Sequence, residues 1–423
     1  MPRRKFFQKE DRTMERVYGC CCGIDVHKKL IVACLRKGTS EELREYGATT
    51  GELLKLADWL AGNGCEMAAM ESTASYWKPL YNVLEAQGLG VMVVNAQHMK
   101  AVPGRKTDAK DAQWIADLLQ HGLLKASYIP DREQRELREL VGYRKSLVQE
   151  KNREVNRFQK MLEGGNIKLS GTVSDINGKS SRNILNEILS GNEIDAGKLE
   201  ELVDGRLKAP REQILEDIRG VLSPVQRKLM KEVLKHIDEL DRHIKALDDD
   251  IDANMGKKYG KPIKEVDEIP GVGKRSAETI LAVTGQDMGR FPTDEHLCSW
   301  AGVCPGNNKS AKKRNSGRTT KGNKLLKTTL VNCAHAAVKV KGSYFSAQFA
   351  RISAHRGKKR AYVAVAHSIL IAVYHILKDG VGYKELGADY YNQFNKERKI
   401  NGYLKKLKKL GWEPEKATQT ATV

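Results

Sequence analysis

The chain has 423 residues, of which 73 are Lys or Arg and 53 are Asp or Glu, giving a net charge of +20 with 40% hydrophobic residues. That length is too great for one hydrophobic core and predicts two or three domains. No stretch approaches 18 uninterrupted apolar residues and the amino terminus is charged, so the sequence predicts neither a membrane span nor a signal peptide.

The eight cysteines predict reduced thiols and no disulfides. They include three in a row, Cys20, Cys21 and Cys22, and no two of the eight form a Cys-x-x-Cys pair. Adjacent cysteines cannot bridge one another, and free thiols are typical of a cytoplasmic protein. We therefore expect a cytoplasmic location and no structural zinc site.

Residues 17–128 alternate between short apolar runs and stretches with helical periodicity. The apolar runs predict strands, the third of them at a sheet edge, and the periodic stretches predict helices. The predicted strands are 18–25, 30–35, 42–47, 67–70 and 89–94, and the predicted helices are 51–60, 76–86 and 108–119. Three strands followed by alternating helices and strands is the order of a ribonuclease-H-like mixed sheet. The fold class predicted for the whole chain is α/β plus α.

The middle of the chain carries a seven-residue hydrophobic repeat. The repeating residues are Val141, Val148, Val155 and Leu162 in one stretch, then Met230, Ile237, Ile244 and Ile251 interleaved with Val233, Leu240 and Leu247. This spacing predicts paired helices, as a hairpin or bundle within one chain or as a coiled coil between chains. Pro224 is expected to start or interrupt the second helix.

A glycine turn, Ile269-Pro-Gly-Val-Gly273, opens the third region. A helical pattern follows from Ala277, so the turn predicts a helix-hairpin-helix-like element. Its glycines would allow backbone N–H groups to approach a phosphate at a helix N-terminus.

The positive charge is concentrated in residues 296–378, which contain 16 Lys or Arg and no Asp or Glu. We call this stretch the acid-free segment. A surface so one-sided repels itself unless a polyanion shares it, so the segment predicts nucleic-acid binding in preference to a merely solvated basic face. The residues expected to contact nucleic acid are Lys309, Lys312, Lys313, Arg314, Arg318, Lys321, Lys324, Arg356, Lys358, Lys359 and Arg360.

Four acidic residues stand at the ends of predicted elements, where carboxylates can converge. Asp25 ends the first strand, Glu71 ends the fourth, and Asp108 and Asp111 share one face at a helix start. Oxygen ligands in that arrangement suit Mg²⁺ or Mn²⁺, and two such ions could assist phosphoryl transfer. Each position also has a structural alternative: a helix cap for Asp108, a surface charge for Asp111 and a lysine partner for Glu71. His27 is expected to be a turn residue beside the metal and not a ligand.

Several motifs, in order along both ends of the chain, carry a resemblance to one family. They are Gly23-Ile-Asp-Val-His-Lys28, Glu71-Ser-Thr73, Val93-Val-Asn95, Arg105-Lys-Thr-Asp-Ala-Lys-Asp-Ala112, Ile269-Pro-Gly-Val-Gly273, Trp300-Ala-Gly-Val-Cys-Pro305, Ser310 and Lys321-Gly-Asn323. Together they resemble the DEDD transposases of bacterial insertion sequences (the one-ten family). One departure is Ala74, which stands where that family usually has glycine.

The resemblance implies a RuvC-like DEDD domain, a coiled-coil spacer and a C-terminal transposase domain. It implies a metal centre and catalytic carboxylates at Asp25, Glu71, Asp108 and Asp111, and a serine nucleophile at Ser310. It also implies a structured non-coding guide RNA that bridges donor and target DNA. Because strand exchange needs several subunits, we expect a dimer that assembles into a tetramer on DNA.

The expected segments follow from the composition and the resemblance together. They are a basic arm at 1–16, the RuvC-like domain at 17–128, the helical spacer at 129–260 with a connection at 164–210, the transposase domain at 261–395 and a basic tail at 396–423.

A serine nucleophile in the basic loop is chemically plausible without the resemblance. A serine hydroxyl is a weak nucleophile, and Lys309 and Lys312 could hold the phosphate and offset the charge that builds during attack. The residues alone rank Ser310 and Ser316 almost equally, with Ser299 a nearby competitor, and the resemblance favours Ser310. Two other functions stay open: a RuvC-like junction nuclease that uses activated water, and a non-catalytic nucleic-acid-binding protein.

Overall fold

The computed structural model describes residues 15–72, 74–95, 108–205, 207, 209–306, 308–310, 313–316, 318–393 and 396–412. Within these ranges the side chains of 108–109, 257, 308–310, 313–316, 392 and 398–399 are not described. The chain divides into two compact units, Met1–Pro130 and Asp131–Val423.

A five-stranded mixed sheet forms the first unit. Its elements in chain order are β1 (Cys20–Val26), β2 (Leu30–Lys37), β3 (Ser40–Gly47), α1 (Thr50–Gly62), β4 (Met67–Glu71), α2 (Trp77–Ala86), β5 (Gly90–Val94) and α3 (Asp108–Gln120). The strand order is β3-β2-β1-β4-β5, with antiparallel pairing from β1 to β3 and parallel pairing from β1 through β4 to β5. The predicted strands and helices of this region are all present, and the mixed α/β prediction is confirmed.

Helices cover both faces of the sheet because β1 is apolar on both sides. Ile24 and Val26 belong to the core that also contains residues of α1 and α2. Cys21 points to the opposite face, where it packs with Ile115 of α3. Burial on both faces is typical of a central strand with a parallel neighbour, so β1 holds its residues at the centre of the unit.

All eight cysteines are free thiols. Burial raises the pKa of the Cys65 thiol to about 12 and that of Cys22 well above its usual value. These thiols are therefore protonated at neutral pH and pack as small apolar groups. The expectation that the adjacent cysteines form no disulfide agrees with this arrangement.

The second unit is almost entirely helical. Its elements are α4 (Arg132–Gly164), α5 (Leu169–Thr172), α6 (Lys179–Ser190), α7 (Ala196–Leu202), α8 (Arg211–Asp217), α9 (Pro224–Asp267), α10 (Lys274–Thr284), a 3₁₀ turn (Met288–Arg290), α11 (Asp294–Ala301), β6 (Asn308–Ser310), β7 (Lys313–Ser316), α12 (Lys324–Ala337), α13 (Tyr344–Arg356), α14 (Lys358–Asp379), α15 (Tyr390–Gln393) and α16 (Lys396–Lys409). The prediction of a mostly helical remainder is confirmed.

The two longest helices, α4 and α9, pack antiparallel within the chain. At one end of the pair Lys258 contacts Glu133 at 2.8 Å, and farther along Lys151 contacts Asp241 at 2.5 Å. Residue numbers thus rise on α4 as they fall on α9. This is the helical hairpin that the seven-residue repeat allowed.

The hydrophobic repeat faces the interior of this chain. Its buried members are Val141 and Leu162 on α4 and Met230, Ile237, Leu240, Ile244 and Ile251 on α9. A repeat buried in this way stabilises an intramolecular pair, because apolar area removed from water contributes about 25 cal/mol per Å². A coiled coil between chains stays a prediction.

The start of α9 follows ordinary capping chemistry. Pro224 is its first residue, where proline lacks only an N–H that has no helical partner. The Ser223 side chain accepts a hydrogen bond from the Gln226 backbone N–H, and the Gln226 side chain accepts one from the Ser223 backbone N–H. Pro224 therefore starts the helix, as one of the two predicted alternatives had it.

α14 is long and apolar enough to cross a membrane by length and composition, with a mean hydropathy of 1.5 over an 18-residue window. Core helices of soluble proteins share that property. Val365, Ile369, Leu370 and Val373 of α14 are fully buried in the largest hydrophobic core of the second unit. We therefore assign α14 to that core.

A buried ion pair joins α4 to α10. Arg144, with 4% of its side chain exposed, lies 2.5 Å from Glu278, which is 2% exposed. Arg144 also contacts Asp248 of α9 at 2.9 Å and donates to the Arg275 backbone oxygen at 3.1 Å. Burial raises the pKa of the Glu278 carboxyl, and the Arg144 guanidinium opposes that rise. One guanidinium thus ties three helices together.

Replacing Glu278 by alanine is expected to destabilise the second unit strongly. The substitution leaves the buried Arg144 without its closest counter-charge, and uncompensated buried charges typically cost about 3 kcal/mol. Urea unfolding of the full chain measures the loss. Glu232→Ala, which removes the exposed partner of Lys235 on α9, is the control and should leave the unfolding midpoint unchanged. Equal midpoints for the two variants would contradict the role of the pair.

Candidate active site and nucleic-acid surface

The carboxyl ends of β1 and β4 bring the first two acidic residues together. The two strands pair in parallel with Gly23 opposite Ala69. Advancing two residues along each strand places Asp25 opposite Glu71, the last residue of β4. Side chains two residues apart on a strand point to the same face. Both carboxylates therefore lie on one face at one edge of the sheet.

α3 crosses that same face at a residue with no side chain. A Cβ atom at Gly23 would lie 2.2 Å from the Ala116 backbone nitrogen and 2.3 Å from the Ala112 backbone oxygen. The backbone of the helix thus rests directly on the backbone of β1. Glycine in a strand interior commonly marks such a close approach.

α3 runs in the opposite direction to β1. Near the start of the strand, the Cys21 thiol contacts the Ala116 backbone oxygen at 3.8 Å. Two residues further along, Gly23 is also in contact with Ala112, nearer the start of the helix. The first turn of α3 therefore lies toward the carboxyl end of β1, where Asp25 is.

That first turn carries the other two acidic residues, Asp108 and Asp111. They are three residues apart and share one face of the helix. Asp111 is half-buried, and the side chain of Asp108 is outside the described part of the chain. The structure therefore brings four acidic positions to one edge of the sheet, two from strand ends and two from a helix start.

His27 contacts one of these carboxylates. Its Nε2 lies 3.0 Å from Asp25 Oδ2, and the His27 side chain is about half exposed while that of Asp25 is largely covered. Groups in contact with a ligand side chain orient it. This contact agrees with an imidazole that lies beside the acidic cluster and positions Asp25.

The chemistry of the four side chains fits a hard divalent cation. Carboxylate oxygens are the ligands that Mg²⁺ and Mn²⁺ prefer. Among the side chains that the structure describes, no three His, Cys, Asp or Glu are close enough together to hold a metal ion, and Asp108 is not among those side chains. The fit therefore rests on the donor atoms and on where the backbone places them.

Ala74 holds a strained backbone three residues after Glu71. Its φ of +48° lies in the left-handed region, which costs a non-glycine residue about 1 kcal/mol or more. Glycine adopts this conformation readily, which explains why the departure at position 74 is unusual. Strain of this kind is typical of functional sites, and here it adjoins a predicted ligand.

Ser310 lies at the tip of a two-stranded hairpin. β6 and β7 pair antiparallel with Ser310 opposite Lys313, so only residues 311–312 separate the strands. Ser316 lies at the other end of β7, opposite Asn308, and Ser299 lies within α11. Its position at the tip distinguishes Ser310 from Ser316 and Ser299. The amino-acid sequence alone did not separate Ser310 from Ser316.

The basic residues of the acid-free segment form an exposed surface in the second unit. The exposed residues are Arg318, Lys321, Lys324, Arg356, Lys358, Lys359 and Arg360. Lys309, Lys313 and Arg314 lie in the hairpin strands, their side chains not being described, and Lys312 lies outside the described residues. The predicted nucleic-acid residues therefore cluster on the hairpin, on the start of α12 and on the turn between α13 and α14.

Six of these cations form no ion pair with a carboxylate that the structure describes, whereas several cations of α9 do. On α9, Lys235 contacts Glu232 at 2.8 Å and Lys245 contacts Asp249 at 3.1 Å. No ion pair to a described carboxylate is found for Lys321, Lys324, Arg356, Lys358, Lys359 or Arg360. The last three also begin α14, where the helix dipole disfavours positive charge. A bound polyanion would offset both costs.

In the glycine turn between α9 and α10, one glycine lies against the backbone of α12. Gly271 has a φ of +83°, and a Cβ there would lie 2.3 Å from the Ala337 backbone nitrogen of α12. Lys274, just after the turn, contacts Asp252 at 2.7 Å. Gly273 has open space around it. The turn thus has a packing role that its predicted phosphate contact did not anticipate.

Gly23 is a site residue that sequence analysis did not identify. The signal was present, because a glycine inside an otherwise apolar strand indicates a bulge or a close backbone approach. The sequence did not indicate which segment of the chain approaches Gly23. Ala112 and Ala116 lie about ninety residues away, and their small size allows the contact.

Comparison with known proteins relates both ends of the chain to transposases. A transposase family model of the DEDD type, named for IS110, matches residues 22–167. A second model, for the transposases of the IS116/IS110/IS902 family, matches residues 263–350. The chain is also 28% identical over 305 residues to the uncharacterized 43.6 kDa protein of insertion element IS110 from Streptomyces coelicolor, covering 67% of this chain and 73% of that protein.

Substituting Gly23 by alanine is expected to displace α3 from the sheet. The new methyl group would overlap backbone atoms that no side-chain movement can clear, and overpacking of this kind costs about 3 kcal/mol. Hydrogen exchange of the α3 amides and urea unfolding measure the effect. Gly51→Ala in α1, where nothing lies within 4 Å, is the control and should be neutral or stabilising. Unchanged protection of α3 in Gly23→Ala would show that the contact is not tight.

Proposed function

Since the chain belongs to the IS110 family of DEDD transposases, a family of DNA-recombining enzymes, we propose that it cleaves and rejoins DNA with a carboxylate metal centre and a serine nucleophile. The transposase function follows from the family. The metal, the nucleophile, the guide RNA and the assembly are the parts that we propose.

A RuvC-like first unit is supported by the strand order. The sheet order β3-β2-β1-β4-β5, with two antiparallel and two parallel pairings, matches the ribonuclease-H-like order expected from the sequence. In such a sheet the parallel strands end at one edge, so residues from their ends meet there. Asp25 and Glu71 occupy those ends, and this placement is the observation that carries the proposed chemistry.

Asp25, Glu71, Asp108 and Asp111 would hold the metal. A bound divalent cation would polarise the scissile phosphate and offset charge in the transition state. The protein's part is to hold the four carboxylates close together at one edge of the sheet. Contact between α3 and β1 at Gly23 fixes the helix start relative to the strand ends, and His27 orients Asp25.

Ser310 would be the nucleophile. Its Oγ forms a bond to phosphorus while the bond from phosphorus to a deoxyribose oxygen breaks. The proton lost by Oγ is balanced by the proton that the departing oxygen gains. The resulting phosphoserine linkage keeps the energy of the phosphodiester, so a hydroxyl of another strand can attack it and release Ser310 without ATP.

The exposed cations would hold the nucleic acids. A surface of exposed cations binds phosphate through counterion release, which is independent of base sequence. Target choice would then come from pairing with a structured non-coding RNA, as the family resemblance implies. We propose that the catalytic assembly is a dimer that pairs into a tetramer, bringing Ser310 and the acidic cluster of the same or a neighbouring subunit to one phosphate.

The nucleophile is tested by trapping the protein on DNA. We expect the full chain, incubated with Mg²⁺ and an end-labelled duplex that carries its element end, to form a covalent adduct that survives denaturation. Ser310→Ala should lose the adduct and Ser316→Ala should keep it, because only Ser310 lies at the hairpin tip. Asp25→Asn should lose cleavage altogether.

The two rival functions give different outcomes in the same assay. Nicking by Ser310→Ala, with free phosphate ends and no adduct in the wild type, would indicate a junction nuclease that uses activated water. An Asp25→Asn variant with full transposition activity would indicate a non-catalytic nucleic-acid-binding protein. Adduct that persists in Ser310→Ala would refute the nucleophile.

The nucleic-acid surface is tested by salt dependence. Each phosphate contact contributes about 0.9 to the slope of log affinity against log salt concentration on duplex DNA. Replacing Lys358, Lys359 and Arg360 by alanine should therefore lower that slope by about 2 to 3. The control replaces Lys235 and Lys245, which have acidic partners on α9, and should leave the slope unchanged. Equal slopes for the two sets would contradict the assignment.

A further inference from the structure

The hairpin that carries Ser310 emerges from between two helix ends that are anchored in the core. α11 precedes it and is held by Leu297 and Ala301, both fully buried, while α12 follows it and is held by Leu326 and Leu330. At the base of the hairpin, Val303 is buried in the same core and Cys304 packs against it. The direction of the hairpin is therefore set by how the two helix ends meet.

They meet through a pair of glycines. A Cβ atom at Gly302 would lie 2.7 Å from the Gly322 backbone nitrogen and 2.8 Å from the Thr320 backbone oxygen. A Cβ atom at Gly322 would lie 2.3 Å from the Ala301 carbonyl carbon. Because neither glycine has a side chain, the two backbones can lie in direct contact. We call Gly302 and Gly322 the glycine joint.

Hydrogen bonds continue from the joint toward the tip. The Thr320 N–H donates to the Cys304 oxygen at 3.4 Å, and the Gly306 N–H donates to the Arg318 oxygen at 2.8 Å. Pro305 and Thr319 form a bridge between these two bonds. The two segments that connect the joint to β6 and β7 are therefore paired with each other at residues 304–306 and 318–320.

Two side-chain contacts fasten the returning strand to the flanking helices. The Thr320 hydroxyl donates to the Ser299 backbone oxygen of α11 at 3.4 Å, and Lys327 of α12 donates to the Thr319 hydroxyl. These contacts lie beside the joint and not at the tip. They resist bending of the hairpin relative to the core.

We propose that the glycine joint is a positioning device for Ser310. Ser310 is eight positions after Gly302, and eight residues of extended strand span about 26 Å at 3.3 Å per residue. Over that length a tilt of about 5° at the base moves the tip by about 2 Å, and misplacement by 1 Å can lower a reaction rate about 100-fold. A methyl group at Gly302 or Gly322 would push the two backbones apart and tilt the hairpin. The inference rests on the proposed role of Ser310.

The test compares glycines with the same backbone and different surroundings. Gly302 ends α11 with φ +74° and ψ +27°, and Gly380 ends α14 with φ +65° and ψ +25° but has nothing within 4 Å. Alanine at either position strains the backbone equally. Only Gly302→Ala also presses on the returning strand, so the difference between the two variants isolates the joint.

The measurements are the single-turnover rate of adduct formation on the end-labelled element-end duplex and the dissociation constant for the same duplex. We expect Gly302→Ala and Gly322→Ala to lower the adduct rate about 100-fold with affinity for the duplex unchanged, and Gly380→Ala to change neither. A purely structural defect would lower affinity and rate together. Wild-type adduct rates in both joint variants would overturn the proposal.

A further variant, Thr319→Val, and a further measurement, amide hydrogen exchange, test the same positioning of the hairpin. Thr319→Val removes only the hydrogen bond to Lys327, so it tests the same positioning if the alanine variants fail to fold, and an unchanged adduct rate in it would count against the joint. Hydrogen exchange of the Gly306 and Thr320 amides should speed up in Gly302→Ala but not in Gly380→Ala. If the wild type forms no adduct, the assignment of Ser310 fails, whereas equal exchange of these amides in wild type and Gly302→Ala overturns the joint itself.

Discussion

Direct contact between backbones, with no side chain between them, is the constraint on which the candidate site depends. At Gly23 the backbone of α3 rests on β1, and this brings a helix start to the sheet edge where two strand carboxylates end. The same device recurs where Gly271 meets α12 and where Gly302 meets Gly322. In each case a missing side chain lets two elements approach within a distance that fixes their relative position, since backbone atoms cannot move aside as side chains do.

In the second unit, cations on the long helices and cations in the acid-free segment have different surroundings. Along α4, α9 and α10, many cations have carboxylate partners, and the most buried of them, Arg144, joins three helices. In the acid-free segment Lys321, Lys324, Arg356, Lys358, Lys359 and Arg360 form no ion pair with a described carboxylate. Exposed pairs add little to stability, so their absence costs the fold little and leaves the positive charge available to phosphate. The apolar helix α14 supports this surface by burying one side in the core.

The strained or exposed features lie close to the residues that would do chemistry. Ala74 carries a left-handed backbone next to the Glu71 strand end, and Ser310 lies at the tip of a two-stranded hairpin. Functional residues are often carried on loops that a rigid scaffold positions. The contacts beside Gly302 and Gly322 join the base of this hairpin to the two flanking helices.

The local elements and the chemical inventory could be predicted from the amino-acid sequence. Strand and helix positions in the first unit, the seven-residue repeat, the acid-free segment and the four acidic positions all follow from periodicity and composition, which are properties of short stretches. The contacts between these stretches are known only from the three-dimensional fold: α4 pairs with α9 inside one chain, Ala112 and Ala116 lie on Gly23, the glycine turn packs on α12, and Ser310 lies at a tip while Ser316 does not. Such contacts join residues far apart in the chain, and no local pattern specifies a partner at that distance, because small residues and glycines allow many close approaches and the packing of the whole unit selects one.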